Sequence, residues 1–125
     1  MSDLIERLNQ TLSEYGVEVR FSRRANQDFK SYGKGEKINI LAMLTLQAKK
    51  GPLLKPDGNG TPLHKELAGF AKIKHKDLSL RIVYRPRQNN GRVIMEVIAI
   101  GPRDKDEVYR MAVRRLIEFF GEMDK

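Results

Sequence analysis

The sequence predicts one α+β domain, and three observations carry that prediction. Four stretches have the alternating, β-branched pattern of strands, at 17–21, 69–74, 78–85 and 92–100. Stripes with helical spacing precede and follow the last three of them. Asn90-Gly91 stands between the last two strand patterns and is the favoured two-residue hairpin turn. The chain's 125 residues suffice for a single modest core, and no repeat, linker or low-complexity segment divides them.

Residues 2–15 read as a short amphipathic helix with Leu4, Ile5, Leu8 and Leu12 on one stripe, Ser2 as its cap and Gly16 at its end. Val17, Val19 and Phe21 alternate with Glu18 and Arg20 in the first strand. Ser22 is placed to cap the next helix, where Ala25, Phe29 and Tyr32 fall at helical spacing until Gly33-Lys34-Gly35 breaks it. A further helix runs from Glu36 to about Lys50. Its apolar residues, Ile38, Leu41, Ala42, Leu44 and Leu46, spread round the circumference and predict burial on more than one side. The glycine turn makes these two helices a hairpin.

The Gly- and Pro-rich segment 51–62 reads as turns; its Asp57-Gly58-Asn59-Gly60 lacks the further acidic residues of a calcium loop. After the strands, Asp104-Lys105-Asp106-Glu107 has the pattern of a capping box opening one final helix, with Val108, Ala112, Leu116, Phe119 and Phe120 on its apolar face.

Net charge is +8 and uneven. Residues 69–115 hold twelve Lys/Arg against five Asp/Glu, so the excess sits on the predicted sheet and favours a phosphate-bearing or acidic partner. An evenly spread excess would have meant only solubility. The absence of cysteine excludes disulfides and thiolate metal sites, and no His/Asp/Glu cluster has metal-ligand spacing. No apolar run has the length of a membrane span and no basic-then-apolar leader is visible, so the expectation is a cytoplasmic protein without a membrane partner or cofactor.

Strand alternation sets Lys72 and Lys74 on one face, opposite Ala71 and Ile73. In the following strand Arg81, Val83 and Arg85 share a face, opposite Leu80, Ile82 and Tyr84. A tight hairpin centred on Lys76-Asp77 sets Lys74 across from Ser79 and Lys72 across from Arg81. Like charges facing one another across a sheet cost stability, so they are either well solvated or kept for a ligand. For the lysines taken alone, a solvated strand face is the simpler reading. Arg103 follows the last strand, where a side chain can lean over the sheet's end. Tyr109 lies in the apolar stripe of the last helix, so it fits either a core tyrosine or a surface for stacking.

The run from Pro62-Leu63 through Leu67-Ala68-Gly69 to Lys72-Ile73-Lys74, then Leu80-Arg81-Ile82-Val83-Tyr84, resembles the RelE/ParE toxin superfamily. So does the ending, Val97-Ile98-Ala99-Ile100-Gly101-Pro102-Arg103, Glu107-Val108-Tyr109 and Ala112-Val113-Arg114-Arg115-Leu116. The resemblance covers about residues 17–117 and is closest to the RelE branch. It implies a helical hairpin on a largely antiparallel four-stranded sheet with a C-terminal helix; residues 1–15 would then be an N-terminal helical extension of a single domain spanning 1–125.

The resemblance also implies a function: the toxin of a type II toxin–antitoxin system, an endoribonuclease that cuts messenger RNA on the ribosome and is held inactive by a cognate antitoxin. By position, Lys72 and Lys74 match the lysines of the active sheet, and Arg81 the arginine that stabilises the scissile phosphate. Arg103 matches the arginine associated with leaving-group protonation, Tyr109 the tyrosine that stacks on the nucleotide, and Lys105 a further basic position. Arg85 joins Lys105 as an expected RNA contact, and His64 stands as a possible acid or base; His75 is read as a surface residue of the turn. Three departures stand out: the preceding helix, Pro102 directly before Arg103, and the long 51–61 loop.

These residue types suit metal-free cleavage by the 2′-OH. That reaction needs the hydroxyl deprotonated, the phosphorane stabilised and the 5′-oxygen protonated. Cations serve the second need directly, and crowding among cations lowers the pKa of a lysine within the group. Arginine rarely gives up a proton, so Arg103 acts mainly through charge. Two other functions fit the same pattern: a ParE-like inhibitor of DNA gyrase, which generally lacks the full basic set, and a non-catalytic RNA-binding module. For the latter, Gly69–Lys74 offers only Phe70 as an aromatic platform.

Overall fold

The computed structural model describes residues 3–75 and 77–124. Ser2, expected as a helix cap, and Lys76, expected at the centre of a turn, lie outside the described residues.

Helix α1 (Asp3–Leu12) buries Ile5, Leu8 and Leu12 and leaves Leu4 exposed. A 3-10 turn at Ser13–Tyr15 and the left-handed Gly16 lead into strand β1 (Val17–Phe21). The Ser22 hydroxyl accepts the Ala25 N–H at 3.1 Å and so caps α2 (Arg23–Ser31). Helix α3 (Lys34–Lys50) buries one face only, through Ile40, Met43, Leu44 and Ala48. Ile38 and Leu46 are 57% and 48% exposed, so the expected burial on several sides is corrected to a single packed face.

The 51–60 segment is made of turns. It leads to β2 (Thr61–Pro62), a two-residue strand antiparallel to β3 (Ala71–Lys74). A strand this short has no period to read, and its proline is tolerated because β2 is an edge. Strands β4 (Leu80–Asn89) and β5 (Arg92–Pro102) form a long hairpin that turns at Asn90 and Gly91, both at positive φ (54° and 80°). The sheet therefore has five strands, not four, in the order β1-β5-β4-β3-β2. Only β1, parallel to β5, departs from antiparallel pairing.

The predicted final helix is two helices, α4 (Glu107–Arg114) and α5 (Leu116–Met123), broken at Arg115. Tertiary bonds meet at this junction. β1 ends opposite Val97, which leaves the outer edge of β5 without a partner strand beyond that point. Asp28 accepts the Ile100 N–H at 3.0 Å, and Arg115 donates to the Ile98 carbonyl at 3.0 Å and to Asp28 at 2.7 and 3.0 Å. Buried backbone groups need such partners, and Arg115 serves them from the junction between α4 and α5.

Helices α1, α2 and α3 cover one face of the sheet, over Leu80, Ile82, Tyr84 and Met95. The opposite face is covered by α4, α5 and a 3-10 turn at Lys65–Leu67, over Phe70, Val83, Ile98 and Ala99. At Gly101 a Cβ would stand 3.0 Å from Met111 Sδ and 3.2 Å from Val108 Cβ, so glycine lets α4 approach β5 closely there.

The N-terminal extension guards a sheet edge. The Asn9 amide accepts the Val19 N–H at 2.7 Å and donates to the Val19 carbonyl at 3.0 Å, as a neighbouring strand would. Asn9→Ala is expected to lower stability by about 1–2 kcal/mol, because both backbone groups lose their partner. Urea denaturation checks this, and an unchanged midpoint contradicts it.

Candidate functional site

The site begins with the β3–β4 register. Lys74 pairs with Arg81, and Lys72 with Val83. The expected register is therefore corrected by two residues, because the turn between the strands is longer than a tight hairpin. A two-residue slip preserves parity, so Lys72, Lys74 and Arg81 keep a common face. The direct like-charge pair is Lys74 with Arg81 rather than Lys72 with Arg81, at the end of the sheet.

Arg81 is the best-fixed of these cations, its side chain 19% exposed. Its Nη1 donates to the Tyr109 hydroxyl at 3.3 Å and lies 3.7 Å from the Asp106 carboxylate. The guanidinium stands 5.6 Å from the centroid of the Tyr109 ring. Its Nε is buried and has no hydrogen-bond partner among the described residues. A buried donor without an acceptor is uncommon and calls for an explanation, such as a ligand or a water.

Arg81 and Arg103 together line two adjoining hollows. One, of about 210 Å³, is completed by Lys74 and His75. The other, of about 450 Å³, is completed by Ser79, Pro102, Asp104 and Lys105. Arg103 is aimed by its own backbone: its N–H donates to the Ser79 carbonyl at 2.9 Å, which ties the end of β5 to the start of β4. Lys72 lies on the same sheet face, outside both hollows.

The Asp104–Glu107 segment forms no capping box. It is a 3-10 turn (Asp104–Asp106) with no side-chain cap, and Lys105 and Asp106 both have positive φ, 52° and 57°. Left-handed conformations cost a non-glycine residue of the order of 1–2 kcal/mol each. In return Asp106 reaches Arg81, and Lys105 lines the larger hollow.

Tyr109 packs partly into the core, half-buried against its second cluster, and also meets Arg81, from which its hydroxyl accepts. Burial pushes its phenol above the ordinary value, with Arg81 opposing, so at neutral pH it is a neutral ring rather than a base. Burial raises Tyr84 further, with its hydroxyl donating to the Pro52 carbonyl at 2.8 Å. Both phenols titrate higher when folded than when unfolded. Their stabilisation is therefore complete below the unfolded value of about 10 and declines as pH rises through the folded values. Melting temperature is expected to fall progressively above about pH 10, with a smaller fall in Tyr84→Phe; equal profiles for the two proteins contradict this.

Two expected residues lie elsewhere. Arg85, expected to contact RNA, is held inside the molecule. It pairs with the buried Glu96 at 2.8 Å and with Asp124 at 2.6 Å, and lies 5.2 Å from the centroids of both Phe119 and Phe120. Within the fold Arg85 fastens the end of α5 to the sheet. His64 lines a separate groove with Tyr109, away from Lys74 and Arg103.

His75, read as a surface residue of the turn, is exposed there, one residue beyond β3. It lines the smaller hollow beside Lys74, and its Nδ1 accepts the Asp77 N–H at 3.1 Å. Because β3 ends at Lys74, alternation no longer governs which way the next side chain points. Among the described residues no group of three or more His, Asp or Glu side chains is placed to hold a metal, and no helix is long and apolar enough to cross a membrane.

No protein-family model and no curated protein matches the chain. Solved structures do. A free-state double arginine-to-alanine mutant of the E. coli toxin RelE is 23% identical, with 78% of this chain and 95% of that chain covered and a TM-score of 0.57. The isolated E. coli RelE toxin is 23% identical over 78% and 96% of the two chains, with a TM-score of 0.53. A YoeB/ParE toxin from Agrobacterium tumefaciens is 20% identical over 67% and 96%, with a TM-score of 0.52. The chain is thus structurally similar to RelE and YoeB/ParE toxins and has the RelE-like α+β fold, with a mixed five-stranded sheet.

Proposed function

We propose that this chain is the toxin of a toxin–antitoxin pair, a RelE-type endoribonuclease that cuts messenger RNA on the ribosome. The observation that carries the reading is the convergence of Lys74, Arg81 and Arg103 on one hollow at the end of the sheet, with Tyr109 bonded to Arg81 beside it.

In this reading the scissile phosphate sits between Arg81 and Arg103. Their guanidinium groups stabilise charge on the phosphorane, and Arg103 also offsets charge on the departing 5′-oxygen. Lys74, with Lys72 behind it, serves the attacking 2′-OH as base. Tyr109, a neutral ring, holds an unstacked base, and Lys105 adds attraction for the backbone. The bond formed joins the 2′-oxygen to phosphorus, its proton passing to Lys74; the bond broken releases the 5′-oxygen, which takes its proton from water, so the upstream fragment ends in a 2′,3′-cyclic phosphate and the downstream one in a 5′-hydroxyl.

An acidic antitoxin segment is the proposed inhibitor, since neutralising this face removes the attraction for RNA. The cytoplasm, where ribosomes are, is the proposed location.

Induced expression in bacteria tests the reading. Translation is expected to stop, with discrete cuts inside translated messages. Growth arrest with intact messages, together with inhibition of purified gyrase, would assign the chain to the ParE-like alternative instead. Retained RNA binding without cleavage on ribosomes would make it a binding module.

A further inference from the structure

Among the described residues the most exposed large apolar side chain is Ile117, at 91%, in the middle of the α4–α5 segment. We infer that this segment is a docking surface for a second copy of the chain, pairing antiparallel with its counterpart about a two-fold axis at Ile117. The inference is independent of the proposed nuclease reading.

Arg110, Val113, Ile117, Gly121 and Asp124 are all exposed. Their intervals of three and four residues put them on one helical face. The residues that the same segment buries, Val108, Ala112 and Phe119, fall on the opposite face. One phase therefore runs through both helices, and the break at Arg115 does not divide the outer side. Val113 and Phe120, also exposed, flank Ile117 and make the centre of this side apolar. A single apolar side chain on a surface needs no explanation, whereas adjacent ones on one face mark a contact.

The charges at the two ends identify the occupant. Beside the apolar centre the exposed charges are Arg110 and Arg114 on α4, and Glu122 and Asp124 at the end of α5. An acidic partner segment suits the first end and is repelled by the second; a basic one meets the reverse. A copy laid antiparallel suits both. The axis at Ile117 sets Arg110 opposite Asp124 and Arg114 opposite Phe120, and a two-fold makes every such contact twice. Asp124 already accepts from Arg85 and Arg87 but is still 42% exposed, and a carboxylate has acceptor sites to spare for a further donor.

Gly121 permits close approach. The axis sets it opposite Val113, and a Cβ built on it meets nothing within 4 Å in the single chain. Glycine inside a helix costs stability relative to alanine, and no neighbour in its own chain requires it here. The space it leaves admits the valine of a second copy.

Sedimentation equilibrium of the full chain tests the inference, in about 0.3 M salt to screen the net charge of +8. A monomer–dimer equilibrium is expected, with a dissociation constant in roughly the micromolar range of small interfaces. Ile117→Asp brings two carboxylates together on the axis and is expected to weaken the dimer by roughly tenfold or more. Gly121→Leu fills the space between the helices and should weaken it too, with a melting temperature no lower than wild type because helix propensity improves. Ile38→Asp, at an exposed position of α3 on the other side of the sheet, should leave the equilibrium unchanged. The chain has no cysteine, so introduced ones report the direction of pairing. Oxidation is expected to link Ile117→Cys to itself, and to link Val113→Cys to Gly121→Cys in a mixture.

A monomer at every concentration, association that survives both Ile117→Asp and Gly121→Leu, or association lost in Ile38→Asp instead would overturn the docking surface. Self-linking of Val113→Cys in place of the mixed link would overturn the antiparallel arrangement. Cleavage of ribosome-bound messages by a strictly monomeric chain would leave the nuclease reading standing while this inference fails.

Discussion

Arg81→Ala is expected to slow cleavage of ribosome-bound messenger RNA by about 10² to 10³-fold, the usual cost of losing one preorganised donor to a developing oxyanion. Toxicity on induction should disappear with it. The loss should not come from unfolding. The partners of the Arg81 side chain are the Tyr109 hydroxyl and the largely exposed Asp106, and both can turn to water when it is removed. Arg81→Lys separates charge from geometry. A lysine keeps the cation but loses the planar fork that bonds Tyr109 while presenting further N–H groups, so an intermediate rate is expected. Wild-type cleavage in Arg81→Ala would remove this residue from the site.

Arg85→Ala is expected to destabilise the fold by about 3–5 kcal/mol, the range for leaving a buried charge without its partner. Glu96 is 1% exposed and sits in the middle of β5, so it cannot reach water without breaking the sheet. The substitution also removes the cation beside the Phe119 and Phe120 rings and the anchor of Asp124. Since whole domains are stable by only about 5–15 kcal/mol, this single change brings the protein near unfolding at moderate temperature. Arg85→Met combined with Glu96→Leu should recover most of the loss, because the uncompensated charge goes with the pair. Urea denaturation of the three proteins decides the matter; a single variant within about 1 kcal/mol of wild type would contradict it.

Arg81 and Arg85 bring out what the sequence does and does not disclose. Both lie on one face of one strand, four residues apart, in a stretch of high positive charge. Strand parity places them together correctly, but their fates depend on remote residues. Arg81 meets Tyr109, 28 positions away, and Arg85 meets Asp124, 39 positions away. Alternation is a local property; the identity of a tertiary partner is not. The same limit applies at the α4–α5 junction, where Arg115 meets Asp28, 87 positions away, and to the edge strand Thr61–Pro62, too short to have a period. The hairpin register failed for a different reason: turn length is free to change in steps of two without disturbing the hydrophobic pattern.

The grouping of the cations was legible because they stand on or just beyond adjacent, strongly patterned strands. Lys74 and Arg81 come together through pairing alone, and Arg103 follows directly from the end of β5. His75 lies in the turn as a surface residue, as its position suggested, and also lines the smaller hollow beside Lys74. Tyr109 could not be resolved by periodicity into core or surface, and in the fold it is half-buried against the core with its hydroxyl accepting from Arg81.

The central claim is that the Lys74–Arg81–Arg103 hollow directs attack of a 2′-hydroxyl on a message in the ribosome. The most direct test incubates the purified protein with programmed ribosomes and identifies the new 3′ ends. The account predicts cuts within the message whose upstream fragments end in 2′,3′-cyclic phosphate and which are absent with Arg81→Ala. Intact messages, or fragments ending in a free 3′-hydroxyl, would contradict it.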